Sequence, residues 1–124
     1  MSAQKILVVD DNPTNLKLIT YVLARAGYDV EASADVAHAQ ARLANALPDV
    51  ILLDLQMPGI DGLTFAGLLK ADPFTAAIPL IAVTAYAMKG DEERIRQGGC
   101  EAYLSKPISV ATFLSTVKSY LGDA

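Results

Sequence analysis

The sequence contains little of several features that would mark particular classes of protein: it has one cysteine, one histidine, no long apolar run and no cluster of basic residues. A single cysteine rules out an internal disulfide and suits a reducing compartment. No apolar segment approaches membrane-spanning length, and no signal-peptide-like segment precedes the first apolar run. The formal net charge of −4 argues against a nucleic-acid-binding surface. We therefore expect a cytoplasmic protein that neither enters a membrane nor binds nucleic acid.

The two scarcest reactive side chains are both predicted to be structural. His38 lies in a helical segment without a cysteine or a second histidine nearby, so we expect a solvated helix position rather than a metal ligand or a general base. Cys100 follows two glycines and leads into an apolar run. This setting favours a small buried packing role over a reactive thiol.

Apolar runs alternate along the chain with amphipathic segments. The runs predict strands over residues 5–9, 28–33, 50–54, 79–83 and 102–104. The amphipathic segments predict helices over residues 13–26, 36–47, 61–72, 89–97 and 109–121. Right-handed crossovers then give a parallel sheet covered on both faces, and the doubly wound order 2-1-3-4-5 fits five strands. The predicted fold is a flavodoxin-like (βα)5 α/β domain over residues 1–124, with no room for an output domain.

Three aspartates are predicted to meet at one edge of this sheet. Asp54 ends the central apolar run, and Asp10 and Asp11 follow the first run. In the predicted order the first and third strands are neighbours, so their carboxyl ends bring the three side chains together. Carboxylates this close resist joint ionisation unless a cation neutralises them, and Mg²⁺ suits a site of a few carboxylates and several waters.

Each of these aspartates also has a simpler interpretation. Asp54 alone is also explained as a residue that merely ends a strand, because single-residue motifs are loose. Asp10 and Asp11 stand where a helix cap is needed, but Asn12 before Pro13 already provides a good N-cap with proline at the first helical position. At least one of the two aspartates is therefore surplus to capping.

The same edge is predicted to gain a hydroxyl and an ammonium group. The fourth strand runs into Thr84, and the fifth leads to Lys106. Singly, Thr84 is more simply a strand-end residue in a local turn and Lys106 an ordinary surface lysine, since loops are polar as a rule. Together with three acids at strand ends, they indicate a site.

Four motifs carry a resemblance to a known family, and they lie at residues 8–12, 53–62, 83–85 and 105–107. They resemble the receiver domain of bacterial two-component response regulators, and the resemblance runs from Lys5 to Leu121. Residues 84–96 and 98–109 are most similar to a stand-alone member of the family that regulates cell division.

The resemblance implies a role for each residue of the predicted site. Asp54 would accept a phosphoryl group from a histidine kinase or a histidine phosphotransfer protein. Thr84 and Lys106 would bind the phosphoryl oxygens. The Mg²⁺ ligands would be Asp11, Asp54 and the backbone carbonyl of Gln56, with Asp10 acting through water.

The resemblance also implies a switch and an output surface. Tyr103 would be the switch aromatic, responding to Thr84. Output would pass through the face of the fourth predicted helix, the fifth strand and the last helix, with a small apolar patch of Ala87, Met88, Arg94, Tyr103 and Ile108. Partners would be kinase-like regulators of the bacterial cell cycle, with a phosphate-relay or chemotaxis-type target as alternatives, and the chain would be a monomer or weak dimer. The alternative for this patch is ordinary packing surface, since scattered exposed apolar residues are common.

Two other functions compete with a signalling receiver, which is not an enzyme. A flavin- or nucleotide-binding module needs phosphate-cradling glycine or hydroxyl residues after the first strand, where this chain has two aspartates. A metal-dependent phosphohydrolase also forms an aspartyl phosphate. It needs a second acid two residues after its nucleophile and usually a substrate cap, but here that position is Gln56 and no insertion exists.

Overall fold

The computed structural model describes residues 4–55, 62–84, 96–97, 99–105 and 110–121. The strands in these ranges are β1 (Lys5–Val9), β2 (Asp29–Ser33), β3 (Val50–Asp54), β4 (Leu80–Thr84) and β5 (Ala102–Ser105). The helices are α1 (Pro13–Arg25), α2 (Val36–Asn45), α3 (Gly62–Ala71) and α4 (Val110–Leu121). None of the helices in these ranges combines the length and the apolarity that a membrane span requires.

The sheet has the predicted topology. Its order is β2-β1-β3-β4-β5, and all neighbouring strands are parallel. The register pairs Val9 with Leu53 and Asp54 with Val83. The carboxyl ends of β1, β3 and β4 therefore lie side by side, as the flavodoxin-like prediction required.

The core lies on both faces of the sheet. One cluster of buried residues includes Leu53 from β3 and Phe65 from α3, with Ala39 of α2 in the same cluster. The other cluster includes Leu52 from β3 and Phe113 from α4, together with residues of α1. Successive strand residues point to opposite faces, so an uninterrupted apolar run is what a strand covered on both sides needs.

The first helix begins where the sequence predicted. Asn12 is its N-cap, and the Asn12 side chain accepts hydrogen bonds from the backbone N–H groups of Thr14 at 2.9 Å and Asn15 at 3.1 Å. Pro13 occupies the first turn, where its missing N–H costs nothing. Asn12 thus caps α1, which leaves Asp10 and Asp11 for another role.

The second helix is shorter than predicted. Its last residue is Asn45, and Ala46 is already extended with ψ of 137°, so Leu47 lies beyond the helix and not in its apolar stripe. Pro48 helps to keep Leu47 out of the helix, because a proline disfavours helical geometry in the residue before it. Most of the helix predicted over residues 89–97 falls outside the described residues, within which Arg96 and Gln97 are helical.

The structure confirms the predictions for His38 and Cys100. His38 is exposed in the first turn of α2. Cys100 is buried in the cluster that packs against α2 and α3. Burial, assisted by the neighbouring charge of Glu101, raises the pKa of the Cys100 thiol to about 11. Its burial in the core fits a packing role, and the raised pKa disfavours the thiolate form that a nucleophile needs.

Lys70 joins α3 to the end of the sheet that lies opposite the aspartates. The Lys70 Nζ atom donates to the Ile78 carbonyl at 3.0 Å and to a Glu101 carboxylate oxygen at 2.6 Å. The other Glu101 carboxylate oxygen accepts from the backbone N–H of Leu80. These bonds fix α3 against the amino ends of β4 and β5. They also hold the Lys70 stem against Gly99, whose φ is 106°.

Gly99→Ala is expected to lower the free energy of unfolding by about 1–3 kcal/mol, because a side chain at positive φ is strained. Its Cβ would also stand 2.6 Å from Lys70 Cγ, which the bonds at Nζ keep in place. Gly67→Ala is the matched control. Gly67 is exposed within α3, with nothing within 4 Å of an added Cβ. Gly67→Ala should therefore raise the free energy of unfolding by about 0.5–1 kcal/mol. Urea unfolding measures both, and equal effects of the two changes would contradict the role given to Gly99.

Candidate functional site

Three carboxylates converge at the carboxyl edge of the sheet, as predicted. One carboxylate oxygen from each of Asp10, Asp11 and Asp54 lies within 4.8 Å of the others. Asp10 and Asp54 are only 1% and 2% exposed, whereas Asp11 is exposed. The cluster therefore has a buried floor and one side open to solvent.

Backbone hydrogen bonds hold the two strand ends that carry these residues. The Asp10 N–H donates to the Ser33 carbonyl at 3.1 Å, which continues the β1–β2 pairing one residue past the strand. Asp10 Oδ1 accepts from the Asn12 N–H at 2.9 Å, so the chain turns sharply into α1. The Leu55 N–H donates to the Val83 carbonyl at 3.0 Å and holds the chain just after Asp54 against β4. The carboxylates thus stand on rigid strand ends.

Carboxylates this close repel one another, and a bound cation would relieve the repulsion. Two like charges about 4 Å apart repel by roughly 4 kcal/mol at an effective dielectric constant of about 20. The donor set consists of hard oxygen ligands, two of them shielded and one facing water. Such a set suits Mg²⁺, which takes a few carboxylates and keeps several waters. The residues present fit a divalent cation.

The structure describes the other predicted site residues in part. The backbone of Thr84 ends β4 beside Ser105 of β5, so the fourth and fifth strands also end at this edge. Tyr103 pairs with Ala82 and is partly buried against the cluster that faces α2 and α3. The remaining predicted residues lie outside the described ranges: Gln56, Ala87, Met88, Arg94, Lys106 and Ile108.

Sequence reasoning missed the outer face of α1, the helix that starts beside the acidic cluster. Leu18 and Tyr21 are 48% and 64% exposed on this face. The Arg25 guanidinium carbon lies 5.9 Å from the centre of the Tyr21 ring, within cation–π range. The sequence did contain a signal for this face. Leu18 and Tyr21 are apolar but lie off the buried positions of the helix, Ile19 and Leu23, at positions where polar residues are expected.

Comparison with known proteins assigns this combination of fold and site to a family. The family model described as "Response regulator receiver domain" matches residues 6–118. The chain therefore belongs to the response regulator receiver domain family, the receiver modules of two-component signalling. This membership confirms the resemblance and favours a signalling receiver over the flavin-binding and phosphohydrolase alternatives.

Individual relatives agree over nearly the whole chain. The polar-differentiation response regulator DivK of Brucella anthropi is 50% identical over 121 residues, which cover 98% of each protein. The crystal structure of the chemotaxis protein CheY4 of Vibrio cholerae superposes with a TM-score of 0.90 at 28% identity, covering 96% of this chain and 99% of that one. The receiver domain of a sensor histidine kinase from Pseudomonas aeruginosa has a TM-score of 0.87 at 34% identity, covering 98% and 99%. That structure has a magnesium ion coordinated in its active-site cleft.

Proposed function

We propose that this protein is a stand-alone cytoplasmic response regulator that accepts a phosphoryl group on Asp54 in a Mg²⁺-dependent reaction. The donor is the phosphohistidine of a histidine kinase or a histidine phosphotransfer protein. The observation that carries the proposal is the convergence of Asp10, Asp11 and Asp54 at one sheet edge, in a chain of the receiver family. The magnesium ion in the Pseudomonas aeruginosa receiver domain supports the choice of metal.

The chemistry asks little covalent work of the protein. A carboxylate oxygen of Asp54 attacks the phosphorus atom in line with the departing imidazole nitrogen, so a P–O bond forms as the P–N bond breaks. Asp11, Asp54 and the Gln56 carbonyl would hold Mg²⁺, with Asp10 acting through water, and the ion would supply charge neutralisation at the phosphoryl oxygens. Lys106 and Thr84 bind the same oxygens. The rigid strand ends keep Asp54 in position for attack.

Incubation with a small phosphodonor tests the function as a whole. A receiver gains one phosphoryl group per chain when Mg²⁺ is present and none when the metal is chelated. Intact-mass spectrometry reads the gain, and release of inorganic phosphate reads turnover. Sustained release of many phosphates per chain, with no accumulation of the phosphorylated chain, would instead identify a phosphohydrolase.

The exposed apolar face of α1 is the proposed docking surface for the phosphodonor protein. A partner that brings its histidine to Asp54 must cover the acidic edge, and α1 begins there, two residues after Asp11. Leu18 and Tyr21 give this face the exposed apolar character of partner sites, and tyrosines often contribute much of the binding energy at such surfaces.

Tyr21→Ala is expected to slow phosphotransfer from a phosphorylated histidine phosphotransfer protein by about tenfold, since a lost aromatic anchor costs more than about 1 kcal/mol. Phosphorylation by the small phosphodonor should be unchanged, because that reaction needs no docking. Tyr120→Ala, which changes an exposed tyrosine of α4, is the matched control. An equal loss with both donors would place the effect in the acidic site and not in docking.

Output is proposed to pass through a two-state switch between Thr84 and Tyr103. A phosphoryl group on Asp54 draws Thr84 toward it, and the space this opens is filled by Tyr103 turning inward. The partial burial of Tyr103 against the core supports the idea, since such a side chain has an inward and an outward position within reach. The responding surface would include Ala87, Met88, Arg94, Tyr103 and Ile108.

Thr84→Ala is expected to abolish the effect of beryllofluoride, which stands in for the aspartyl-bound phosphoryl group, on partner recovery from a native lysate. Met88→Glu and Tyr103→Ala should reduce recovery in the beryllofluoride-activated state. Tyr21→Ala is the control, because Tyr21 is not among the residues of the proposed responding surface and beryllofluoride bypasses the donor. Undiminished recovery with both surface variants would place output elsewhere.

The relatives named DivK suggest the biological setting. Their description as polar-differentiation regulators, at 50% identity over 98% of the chain, supports a role in the bacterial cell cycle. Kinase-like proteins are the targets that the family resemblance implies. We propose that the chain acts as a monomer or weak dimer in this setting.

A further inference from the structure

An apolar groove lies between α2 and α3, at the end of the sheet opposite the aspartates. Both helices follow strands whose carboxyl ends form the acidic edge, so their own C-terminal ends lie at the other edge. The groove has a volume of about 710 Å³, and Leu43, Phe65 and Leu69 line it. Among the described residues that line it, none has been assigned to phosphorylation, switching or output.

The rim of the groove exposes large apolar side chains to solvent. Leu47 is 48% exposed, Leu68 is 52% exposed and Phe74 is 77% exposed, and all three line the groove. Single exposed apolar residues are ordinary, but three around one concave surface form a patch of the kind that marks a binding site.

The shape of the groove favours a helix as its occupant. The edges of the sheet are β2 and β5, and no residue of either strand lines the groove, so an added strand would find no backbone partners there. A helix satisfies its own backbone and needs only an apolar stripe against the groove. A small molecule is less suited to the groove, because pockets that hold one bury about 70–90% of its surface. Here the rim side chains of Leu47, Leu68 and Phe74 are themselves exposed to water.

The charge of the groove selects a basic partner. Asp72 is the one formally charged residue lining it within the described part of the chain. The Phe74 N–H donates to Asp72 Oδ1 at 2.9 Å, which fixes the carboxylate beside the exposed ring. The C-terminus of α2 adds the negative end of its helix dipole. The nearby cations Arg42 and Lys70 are paired with Glu31 and Glu101 and do not offset this charge.

We propose that this groove docks an amphipathic helix of a partner protein, with an apolar stripe flanked by lysine or arginine. A second copy binding through the same face is disfavoured, because it would bring two Asp72 carboxylates together on chains that each carry a net charge of −4. The groove is remote from Asp54, so docking is independent of phosphorylation and tethers the regulator in both of its states.

Two synthetic helical peptides of about 15 residues test the proposal, a length at which amphipathic helices begin to be stable. Both carry the same leucine stripe, and the flanking residues are lysine in one and glutamate in the other. In NMR titrations of the full chain, the lysine peptide should shift the resonances of Leu47, Leu68 and Phe74 saturably. It should bind at least about tenfold more tightly than the glutamate peptide, a difference worth about 1.4 kcal/mol.

Variants separate the groove from general attraction between a cationic peptide and an acidic protein. The double variant Leu68→Gln with Phe74→Gln should weaken the lysine peptide at least about tenfold, since it removes two exposed anchors without touching the core. Asp72→Asn should reduce the preference for lysine while keeping the bond from Phe74. Two control variants should change neither the affinity for the lysine peptide nor the preference for it. Asp29→Asn removes one exposed charge on β2, and Tyr21→Gln removes an exposed apolar residue on α1.

Four results would overturn the proposal: equal affinity for the two peptides, shifts centred on α1, an unchanged affinity in the double variant, or self-association of the chain that the double variant abolishes. The last result would assign the groove to a second copy. A change of more than about tenfold on adding beryllofluoride and Mg²⁺ would couple the groove to the switch and contradict independence. Phosphorylation by the small phosphodonor is measured on the same samples, so failure of the docking proposal is distinguishable from failure of the phosphoacceptor assignment.

Discussion

Asp54→Asn is expected to gain no phosphoryl group from either a protein donor or a small phosphodonor. An amide oxygen is a poor nucleophile and carries no charge, so both the attack and one ligand of the metal are lost. Intact-mass spectrometry after incubation with Mg²⁺ should show the unmodified mass only. The nearly equal size of aspartate and asparagine keeps the fold, which circular dichroism checks.

Asp29→Asn is the matched control for this experiment. Asp29 is an exposed aspartate on β2, away from the acidic cluster, and its replacement changes the net charge equally. This control should be phosphorylated like the unmodified protein. An Asp54→Asn protein that still gains one phosphoryl mass would remove Asp54 from the role of acceptor.

Mg²⁺ is expected to stabilise the folded protein, and neutralising the cluster should do the same without metal. Because the carboxylates of Asp10, Asp11 and Asp54 lie within 4.8 Å of one another, repulsion is released when a cation binds. At a free Mg²⁺ concentration of about 100 times Kd, the stabilisation is about 2.7 kcal/mol. In a domain of this size it raises the melting temperature by several degrees.

Asp11→Asn should unfold at a higher temperature than the unmodified protein when the metal is chelated, and it should lose most of the response to Mg²⁺. Sodium chloride at matched ionic strength controls for screening, since screening alone relieves part of the repulsion. Asp29→Asn should keep the full response. A melting temperature of the unmodified protein that is indifferent to Mg²⁺ would contradict the metal site.

The strands and their order were predictable from sequence because the core has two faces. In β3, Leu52 packs toward α1 and α4, and Leu53 packs toward α2 and α3, so no polar residue interrupts the run. Asp54 is the last residue of a strand that has no exposed face. The doubly wound order 2-1-3-4-5, which fits five strands, then places Asp54 beside Asp10 and Asp11.

The features that sequence reasoning missed depend on contacts between distant segments. Leu47 and Leu68 look like core residues, because periodicity identifies apolar positions and not which of them stay exposed where two helices end. Leu47 also fits the helical stripe, although Pro48 helps to keep it out of the helix. Lys70 and Glu101 are separated by 31 residues, so no local sequence pattern predicts their ion pair. The groove and the Lys70–Glu101 ion pair at this end of the sheet therefore depend on tertiary structure.

Chemical trapping of the phosphorylated residue tests the central claim most directly. Borohydride reduces an aspartyl phosphate to homoserine, which marks the acceptor permanently for peptide mass mapping of the unmodified chain. After incubation with a phosphodonor and Mg²⁺, we expect homoserine at position 54 alone, and none when the metal is chelated. Homoserine at position 10 or 11, or phosphate retained on a serine, threonine or histidine with none at position 54, would contradict the account.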